Sequence, residues 1–564
     1  MENGLASAHH LAAWDTARLV RGAWQASESR TSLTMSSTKT LTSALGAIVG
    51  AENVLSSGPD TLLYARDCWP RLTLEARDGF GAGLIRPLCV AQPGSEQEVS
   101  ALVRFAEAQG VALVPYGAGS GVCGGAAPIG PSVTVDLKRL RHIDVDADAQ
   151  TARVGPGVIG QHLEEALLRR GLTMGHYPSS LYCSSVGGYV AARSAGQYSS
   201  RYGKMEDITE ALRCVVSGGE VIDTATAQRR WGLDVLPLLV GSEGTLGIIT
   251  ESTVRLAKAP QHRLYAGWLM PDAQAGTDAA RRIMQAGVRP AVVRLYDQPD
   301  TLLGRHSARK PHGDPEQPTP LSKRLMKRAK AALGDAMARP AVQGLVHRVK
   351  HGLMTRSLGQ PLALNKLLGM APKKGCLMIF GLEGTQAEVE AAAAHCHPLL
   401  DHAGQALGPE PGEHWYQTRF KVSYKMSPTM DTGAFLDTME VSTGWSNLMH
   451  LYQAVRVAMA PYALVLAHFS HVYPQGCSIY FTFAGFAPDH EALMSRYDAV
   501  WAAGLGAVAA AGGSVAHHHG VGQSKAPYMK HDHVGGEALF QDLKAALDPH
   551  GILNPGKVWT TATQ

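Results

Sequence analysis

Pro115-Tyr116-Gly117-Ala118-Gly119-Ser120-Gly121 closes a short apolar run over residues 112–115, and its reading decides the fold. A strand that ends in alternating glycines leaves successive backbone N–H groups unobstructed, as in a nest that holds phosphate or pyrophosphate. The loop is not a Rossmann fingerprint, because no helix opens directly from it and no acidic residue stands at the required distance. Taken alone it also fits a glycine-rich hairpin. Working outward, residues 86–90 read as a strand and 95–109 as an amphipathic helix, whose start is marked by Ser95 with Glu98 three residues on. Strands are expected over 132–137 and 151–154, and a helix over 160–170. This alternation predicts an α+β fold with helices laid on sheets.

Further segments of the same character follow in order. Pro178-Ser179-Ser180 leads into Cys183-Ser184-Ser185-Val186-Gly187-Gly188. Ala192-Arg193-Ser194-Ala195-Gly196 and Tyr202-Gly203-Lys204-Met205-Glu206-Asp207 come next, then Gly241-Ser242-Glu243-Gly244-Thr245-Leu246-Gly247-Ile248-Ile249-Thr250. Small residues and hydroxyls at these places suit a flat cofactor lying against backbone, with donors for its ring edges and phosphates. The candidate cofactor contacts are Pro115 to Gly121, Ser179, Ser180, Ser184, Ser185, Gly187, Gly188, Ala192 to Ala195, and Glu243 to Ile249.

The bulk numbers agree with a multidomain globular protein. At 564 residues the chain exceeds the size at which a single core stops growing. Hydrophobic residues at 45% and charged residues at 18% exclude a disordered chain. Eight scattered cysteines form no CxxC pair, which argues against a disulfide framework or thiolate zinc site and for a reducing compartment. No run of 18 apolar residues occurs. From about residue 260 the pattern changes: apolar strands over 264–269 and 291–295 flank a helix, and a helical region over 491–511 precedes His517-His518-His519-Gly520.

These segments resemble the FAD-binding domain of the vanillyl-alcohol oxidase (PCMH-type) superfamily, which includes D-lactate and D-2-hydroxyglutarate dehydrogenases. The resemblance runs from about Thr40 to Lys557. It ends on Asp548-Pro549-His550-Gly551-Ile552-Leu553-Asn554-Pro555-Gly556-Lys557, similar to that family's terminal motif. It implies two α+β subdomains around FAD, a cap domain built on a large antiparallel sheet, and a C-terminal segment returning to the FAD domain. The division is placed at 1–35 (a disordered extension, or a start at Met35), 36–258, 259–490 and 491–564. Some members tether flavin through a histidine in the pyrophosphate loop. No histidine lies between Val111 and Leu137 here, so non-covalent FAD is expected, and Cys183 reads as a small residue near the ring.

Imidazole both gives and takes protons near neutrality, so three adjacent histidines are candidate acid–base groups; a metal-sticky surface patch is the plain alternative. Within the superfamily, His-His-His-Gly followed by Val-Gly resembles the alkyldihydroxyacetonephosphate synthases. His468-Phe469-Ser470-His471-Val472-Tyr473 and Gly476-Cys477-Ser478-Ile479-Tyr480-Phe481 match the same pattern. The resemblance implies redox-neutral exchange of the acyl group of acyl-dihydroxyacetone phosphate for a long-chain alcohol, with oxidised flavin as the electrophile. It assigns proton transfer to Tyr480, the activity-critical triplet to His517, His518 and His519, and the critical arginine to Arg294, for which a buried ion pair is the plain alternative. His471 and Lys425 are candidate substrate contacts, and no metal is expected. Two departures stand out: Ser179 replaces the synthases' aspartate, and Tyr424-Lys425-Met426 lies where a phosphate-holding arginine is expected. The second functional reading is an FAD-linked oxidase or dehydrogenase of a D-2-hydroxy acid or alcohol.

Residues 321–374 hold twelve Lys/Arg against one Asp, +11 in a chain whose net charge is +4, interleaved with Leu, Met and Val at helical spacing. Such a segment reads either as a membrane-surface helix or as a solvated cover on the cap. Nucleic acid is not expected, since no aromatics are interleaved. The expected partners are a small-molecule or lipid substrate, a membrane surface, and a second copy of the chain. The expected location is cytoplasmic, peripheral if 321–374 docks on a membrane. It is peroxisomal only if the degenerate pattern Arg18-Leu19 … Gln25-Ala26 acts as an import signal.

Overall fold

The computed structural model describes residues 35–78, 83–225, 234–304, 352, 355–370, 375–421 and 429–559. Residues 1–34, Lys425 with its neighbours, and most of the basic stretch 321–374 lie outside the described residues. The first described element, α1 (Met35–Val49), buries Leu41, Leu45 and Val49, one side chain per helical turn.

Four strands build the first lobe: β1 (Val54–Leu55), β2 (Cys89–Ala91), β3 (Ala112–Tyr116) and β4 (Ser132–Asp136), in the order β1-β2-β4-β3. Strand β4 runs parallel to both β2 and β3 and is buried along its whole length, as a strand covered on both faces must be. Helix α2 (Glu96–Gln109) joins β2 to β3. Ser95 Oγ accepts the Glu98 N–H at 3.2 Å, as the capping box requires. Glu98 instead reaches one residue further back, accepting the Gly94 N–H at 2.7 Å. Gly110 ends the helix with φ +63°.

The second lobe holds β5 (Ile143–Asp146), β6 (Thr151–Val154), β7 (Leu172–Thr173), β8 (Thr209–Val215), β9 (Val221–Asp223), β10 (Ile248–Arg255) and β11 (Ala257–Lys258). Five of them form a sheet in the order β5-β6-β10-β8-β9, and β7 pairs with β11. Helices α3 (Gly160–Leu168) and α4 (Val186–Ala191) belong to this lobe. Consecutive side chains of a strand point to opposite faces. Ile248 therefore packs into the first lobe's core and Ile249 into the second's, so the start of β10 joins the two.

A seven-stranded antiparallel sheet follows: β12 (His262–Met270), β13 (Val292–Tyr296), β14 (Cys376–Gly384), β15 (Gln405–Gly408), β16 (Phe435–Gly444), β17 (Leu464–Val472) and β18 (Gly476–Gly485). Its order is β15-β12-β14-β13-β17-β18-β16. Helices α5 (Ala273–Gln285), α6 (Pro361–Met370), α7 (Gln386–Ala403), α8 (Leu448–Met459) and α9 (His490–Ala510) accompany it. The helical faces of α5, α8 and α9 share one core with the sheet, including Ile283, Leu451, Val455, Tyr497 and Leu505. The chain then runs through the histidine triplet into α10 (Gly536–Leu547) and returns to the first lobe. Leu113 N–H bonds to Ile552 O at 2.7 Å and Asn554 N–H to Leu113 O at 2.8 Å, so the C-terminal segment lies on β3 at the base of the glycine loop.

Candidate active site

The two lobes meet where the glycine segments converge. A Cβ placed on Gly117 would overlap Ser185 Oγ, so glycine at this position lets the loop after β3 lie against the start of α4. Ser185 is the N-cap of α4 and accepts the Gly188 N–H at 3.4 Å. Glycine backbone and a capped helix N-terminus facing each other form the kind of cradle that holds a diphosphate. Hydroxyls expected to face the cofactor are in part engaged with protein. Ser184 Oγ bonds to Ser180 O at 2.7 Å and to the Tyr189 hydroxyl at 2.7 Å, Ser180 Oγ bonds to Ser184 Oγ, and Ser179 Oγ accepts from Gln197 at 3.2 Å. Ser194 Oγ meets His176 Nε2 at 2.8 Å. Arg193 is exposed and pairs with Glu206 at 3.4 Å. Leu246, Ile248 and Ile249 are core side chains. These residues support the cradle through packing and loop shape.

The chemistry-bearing side chains line up across the cap sheet. The antiparallel register places Glu440 of β16 opposite Tyr480 of β18, and Tyr480 opposite His468 of β17. His468 is in turn opposite Tyr296 of β13. Directly opposed residues share a face, and so do residues two apart on one strand. Glu440, Tyr480, His468 and Arg294 therefore form one row over four strands. His468 and Tyr480 stack at 4.7 Å. Arg294 Nη2 lies 2.6 Å from His468 Nε2. Guanidinium has no acceptor, so Nε2 must be the unprotonated nitrogen, leaving the ring proton on Nδ1, 3.8 Å from Asp300. Arg294 thus meets the His468 ring and the Tyr296 side chain, and its Nε is buried without a hydrogen-bond partner.

The triplet lies over this row. Tyr480 contacts the His519 ring at 5.2 Å edge-on and the His518 ring at 6.1 Å. His518 packs on His471 at 4.4 Å, and Nδ1 of His517 and His518 are 3.0 Å apart. His471 has φ +51° at a register shift between β17 and β18, a bulge that turns its ring toward the triplet. Its Nδ1 meets Ser199 Oγ at 2.8 Å. Underneath, Glu440 accepts the His517 N–H at 2.7 Å and the His519 N–H at 2.9 Å. Lys525 Nζ sits 2.6 Å from the same carboxylate, and both residues are wholly buried.

Burial dominates the titration of this cluster. It drives His517 and His519 down to about 4 and His518 and His471 well below the ordinary histidine range, although the charge of Glu440 pulls His517 and His519 the other way. Burial also pushes the Tyr480 hydroxyl up to about 12, with Arg294 opposing. The site therefore presents neutral imidazoles beside a protonated phenol. Among the described residues, one set of three ligand-type side chains brings its ligand atoms within 4.8 Å of one another: Glu440, His517 and His518. Both carboxylate oxygens of Glu440 already accept backbone N–H groups, and a cation would displace the Lys525 ammonium.

The structure thus brings together Tyr480, Arg294, His471 and the triplet, and adds Glu440, Lys525, His468 and Ser199. Glu440 shares its strand with a second acid, Asp437, so no short-range pattern marked it out, and the register of the cap sheet was needed to find it. His468 lay within a recognised motif but needed the β17–β18 register to gain a role.

Residues 259–558 match the FAD-linked oxidase C-terminal domain, and residues 87–225 match an FAD-binding domain. An alkyldihydroxyacetonephosphate synthase from Trypanosoma brucei brucei is 29% identical over 488 residues, 84% of this chain and 73% of that protein. The FAD-linked oxidoreductase YgcU of Escherichia coli K12 is 28% identical over 493 residues, 84% of this chain and 89% of that one. A solved alkyldihydroxyacetonephosphate synthase superposes with a TM-score of 0.69 at 25% identity, covering 91% of this chain and 84% of that one. The glycine cradle fits the diphosphate of the cofactor these domains bind. The chain belongs to the FAD-linked oxidases of the vanillyl-alcohol oxidase (PCMH-type) superfamily, as a flavoprotein of the alkyldihydroxyacetonephosphate synthase-like kind.

Proposed function

We propose that the chain exchanges the acyl group of an acyl-dihydroxyacetone phosphate for a long-chain alcohol, forming an ether. The observation that carries this reading is the row Arg294–His468–Tyr480 under a triplet of neutral imidazoles, in a chain similar over most of its length to such synthases. FAD, held non-covalently since the pyrophosphate loop has no histidine, supplies the electrophile when bound. A neutral imidazole of the triplet takes the proton of the incoming alcohol. The Tyr480 phenol, protonated at neutral pH, gives and retakes a proton at the reacting carbon's substituents. Arg294, whose charge meets a neutral ring, stabilises negative charge developing on the substrate. The bond between the dihydroxyacetone carbon and the acyloxy oxygen breaks with release of the carboxylate, and the alcohol oxygen bonds to that same carbon as its proton passes to the imidazole, so no electrons are gained or lost overall.

The functional division follows as 36–258 for the cofactor, 259–490 for the cap and 491–564 as the returning segment. A lipid substrate gives the basic stretch a use. Within its described residues, 352 and 355–370, helix α6 exposes Leu367 and Met370 at 65% and 82%, apolar surface suited to a bilayer interface. Among the described residues no helix is long and apolar enough to cross a membrane.

A second reading, oxidation of a D-2-hydroxy acid or alcohol, is favoured by the similarity to an FAD-linked oxidoreductase and to a glycolate oxidase subunit from Bacillus subtilis, 27% identical over 536 residues. Neutral imidazoles serve equally to take a hydroxyl proton. Anaerobic addition of D-lactate, D-2-hydroxyglutarate and acyl-dihydroxyacetone phosphate to the flavin-loaded protein separates the two. Incorporation of labelled hexadecanol into ether lipid is expected, and lasting bleaching of the flavin by a hydroxy acid would overturn the synthase reading.

A further inference from the structure

The six-residue run from His517 to Gly522 is held from opposite sides by two carboxylates, the wholly buried Glu440 and the half-buried Glu243. Glu440, on the cap sheet, accepts the N–H groups of His517 and His519. The chain bends at His517, His518 and His519, and both N–H groups come onto one carboxylate. Glu243, from the loop before β10, accepts the N–H groups of Val521 and Gly522. Gly520 lies between the two grips with φ +78°, and a Cβ there would meet Glu243 Oε1 at 2.9 Å. Each residue is also tied to its own side, Glu440 through its carboxylate and Glu243 through its main-chain carbonyl. Lys525 neutralises Glu440 at 2.6 Å. The carbonyl of Glu243 and that of Gly125, in the stretch following the glycine loop, both accept from Asn554 Nδ2, at 2.6 and 3.0 Å.

We propose that Glu440 and Glu243 are positioning residues that suspend the histidine loop between the cap sheet and the cofactor lobe, so that docking of the two domains and placement of the triplet are one event. This rests on the triplet's role in the proposed function. It also moves Glu243 from cofactor contact to holder of the histidine loop. The wholly buried Glu440–Lys525 pair makes the cap-side grip rigid, because a desolvated charge cannot leave its partner without large cost. The Glu243 grip follows the glycine loop through Asn554, so a shift of the cofactor lobe is passed to Val521 and Gly522 and thence to His519.

The test uses the full-length, FAD-loaded protein with Glu243→Gln, Glu243→Ala, Glu440→Gln, and the charge-free pair Glu440→Gln/Lys525→Met, which guards against unfolding caused by an orphaned lysine. Hydrogen exchange of the peptide spanning residues 514–523, flavin-to-protein ratio and the split between kcat and KM are measured. Exchange of the 517–522 amides should rise at least tenfold from a lesion on either side, in the order wild type, Gln, Ala at position 243. Flavin should remain near one per chain in Glu243→Gln, while kcat falls by roughly ten- to a hundred-fold, the usual cost of losing a group that orients a reacting residue. Unchanged exchange in Glu243→Ala and in the charge-free pair would overturn the proposal. Loss of flavin from Glu243→Gln would instead return that residue to cofactor binding. Exchange and flavin content need no substrate, so they decide the matter even if acyl-dihydroxyacetone phosphate is not turned over.

Discussion

Gly117→Ala is expected to weaken FAD binding through a single collision, and the structure says which second substitution should relieve it. The added Cβ would overlap Ser185 Oγ but lie 3.4 Å from Ser185 Cβ, an ordinary contact. The steric fault is therefore with the hydroxyl alone. Pushing Ser185 aside or opening the loop costs about 1–3 kcal/mol, the usual penalty for overpacking. If the loop opens away from α4, that converts to a rise in Kd of about five- to 150-fold. Ser185→Ala removes the N-cap of α4, worth about 1 kcal/mol, and should weaken binding less. In the double variant Gly117→Ala/Ser185→Ala the missing hydroxyl leaves room for the added methyl, so it should bind FAD more tightly than Gly117→Ala alone. Titration of the apoprotein by quenching of flavin fluorescence gives the four Kd values of the cycle. Strict additivity, or wild-type affinity in Gly117→Ala, would refute the reasoning, since the glycine would then serve something other than the approach to Ser185.

Tyr480→Phe keeps the stack on His468 and removes the hydroxyl. Turnover should fall by roughly 10²- to 10⁴-fold with flavin content unchanged, and a smaller loss would take proton transfer away from this residue. Arg294→Lys keeps the charge but not the planar fork that reaches His468 Nε2, so a fall of roughly ten- to a hundred-fold is expected; wild-type kcat/KM would show that charge alone suffices. Depressed histidine pKa values mean that the neutral, proton-accepting form persists to lower pH. With His517 and His519 near 4, kcat/KM should hold from pH 8 to about pH 5, and an acid limb between pH 6 and 7 would contradict the buried-imidazole picture.

Much of the cofactor half was legible because its signals are local. The Ser95 cap, the helix to Gln109 and the strand at Ala112 are set by neighbours within a few residues, and each lies within a residue or two of its expected limits. Glycine loops are equally local, since a backbone that must approach a ligand needs glycine whatever surrounds it. Individual side-chain roles within those loops were less accessible. Ser184 and Glu243 occupy cofactor-like segments, yet the hydroxyl of the first is bound to Ser180 and Tyr189 and the carboxylate of the second to the histidine loop. A motif marks where backbone passes near a ligand, but it does not fix where each side chain points.

By itself the sequence pointed to the α+β class and a flavin cradle, because local spacing and glycine chemistry suffice for these, and its resemblance to a known family singled out the triplet, Tyr480 and Arg294 as candidate reacting groups. Only the tertiary structure decided that Glu440, Tyr480, His468 and Arg294, spread over almost 190 positions, share one row. That follows from strand register, which is set by packing of a whole seven-stranded sheet and not by any short segment. It also decided the direction in which the imidazoles titrate, toward the neutral form. A pKa is fixed by the water a group loses and the charges it meets, and both arrive with burial from distant parts of the chain.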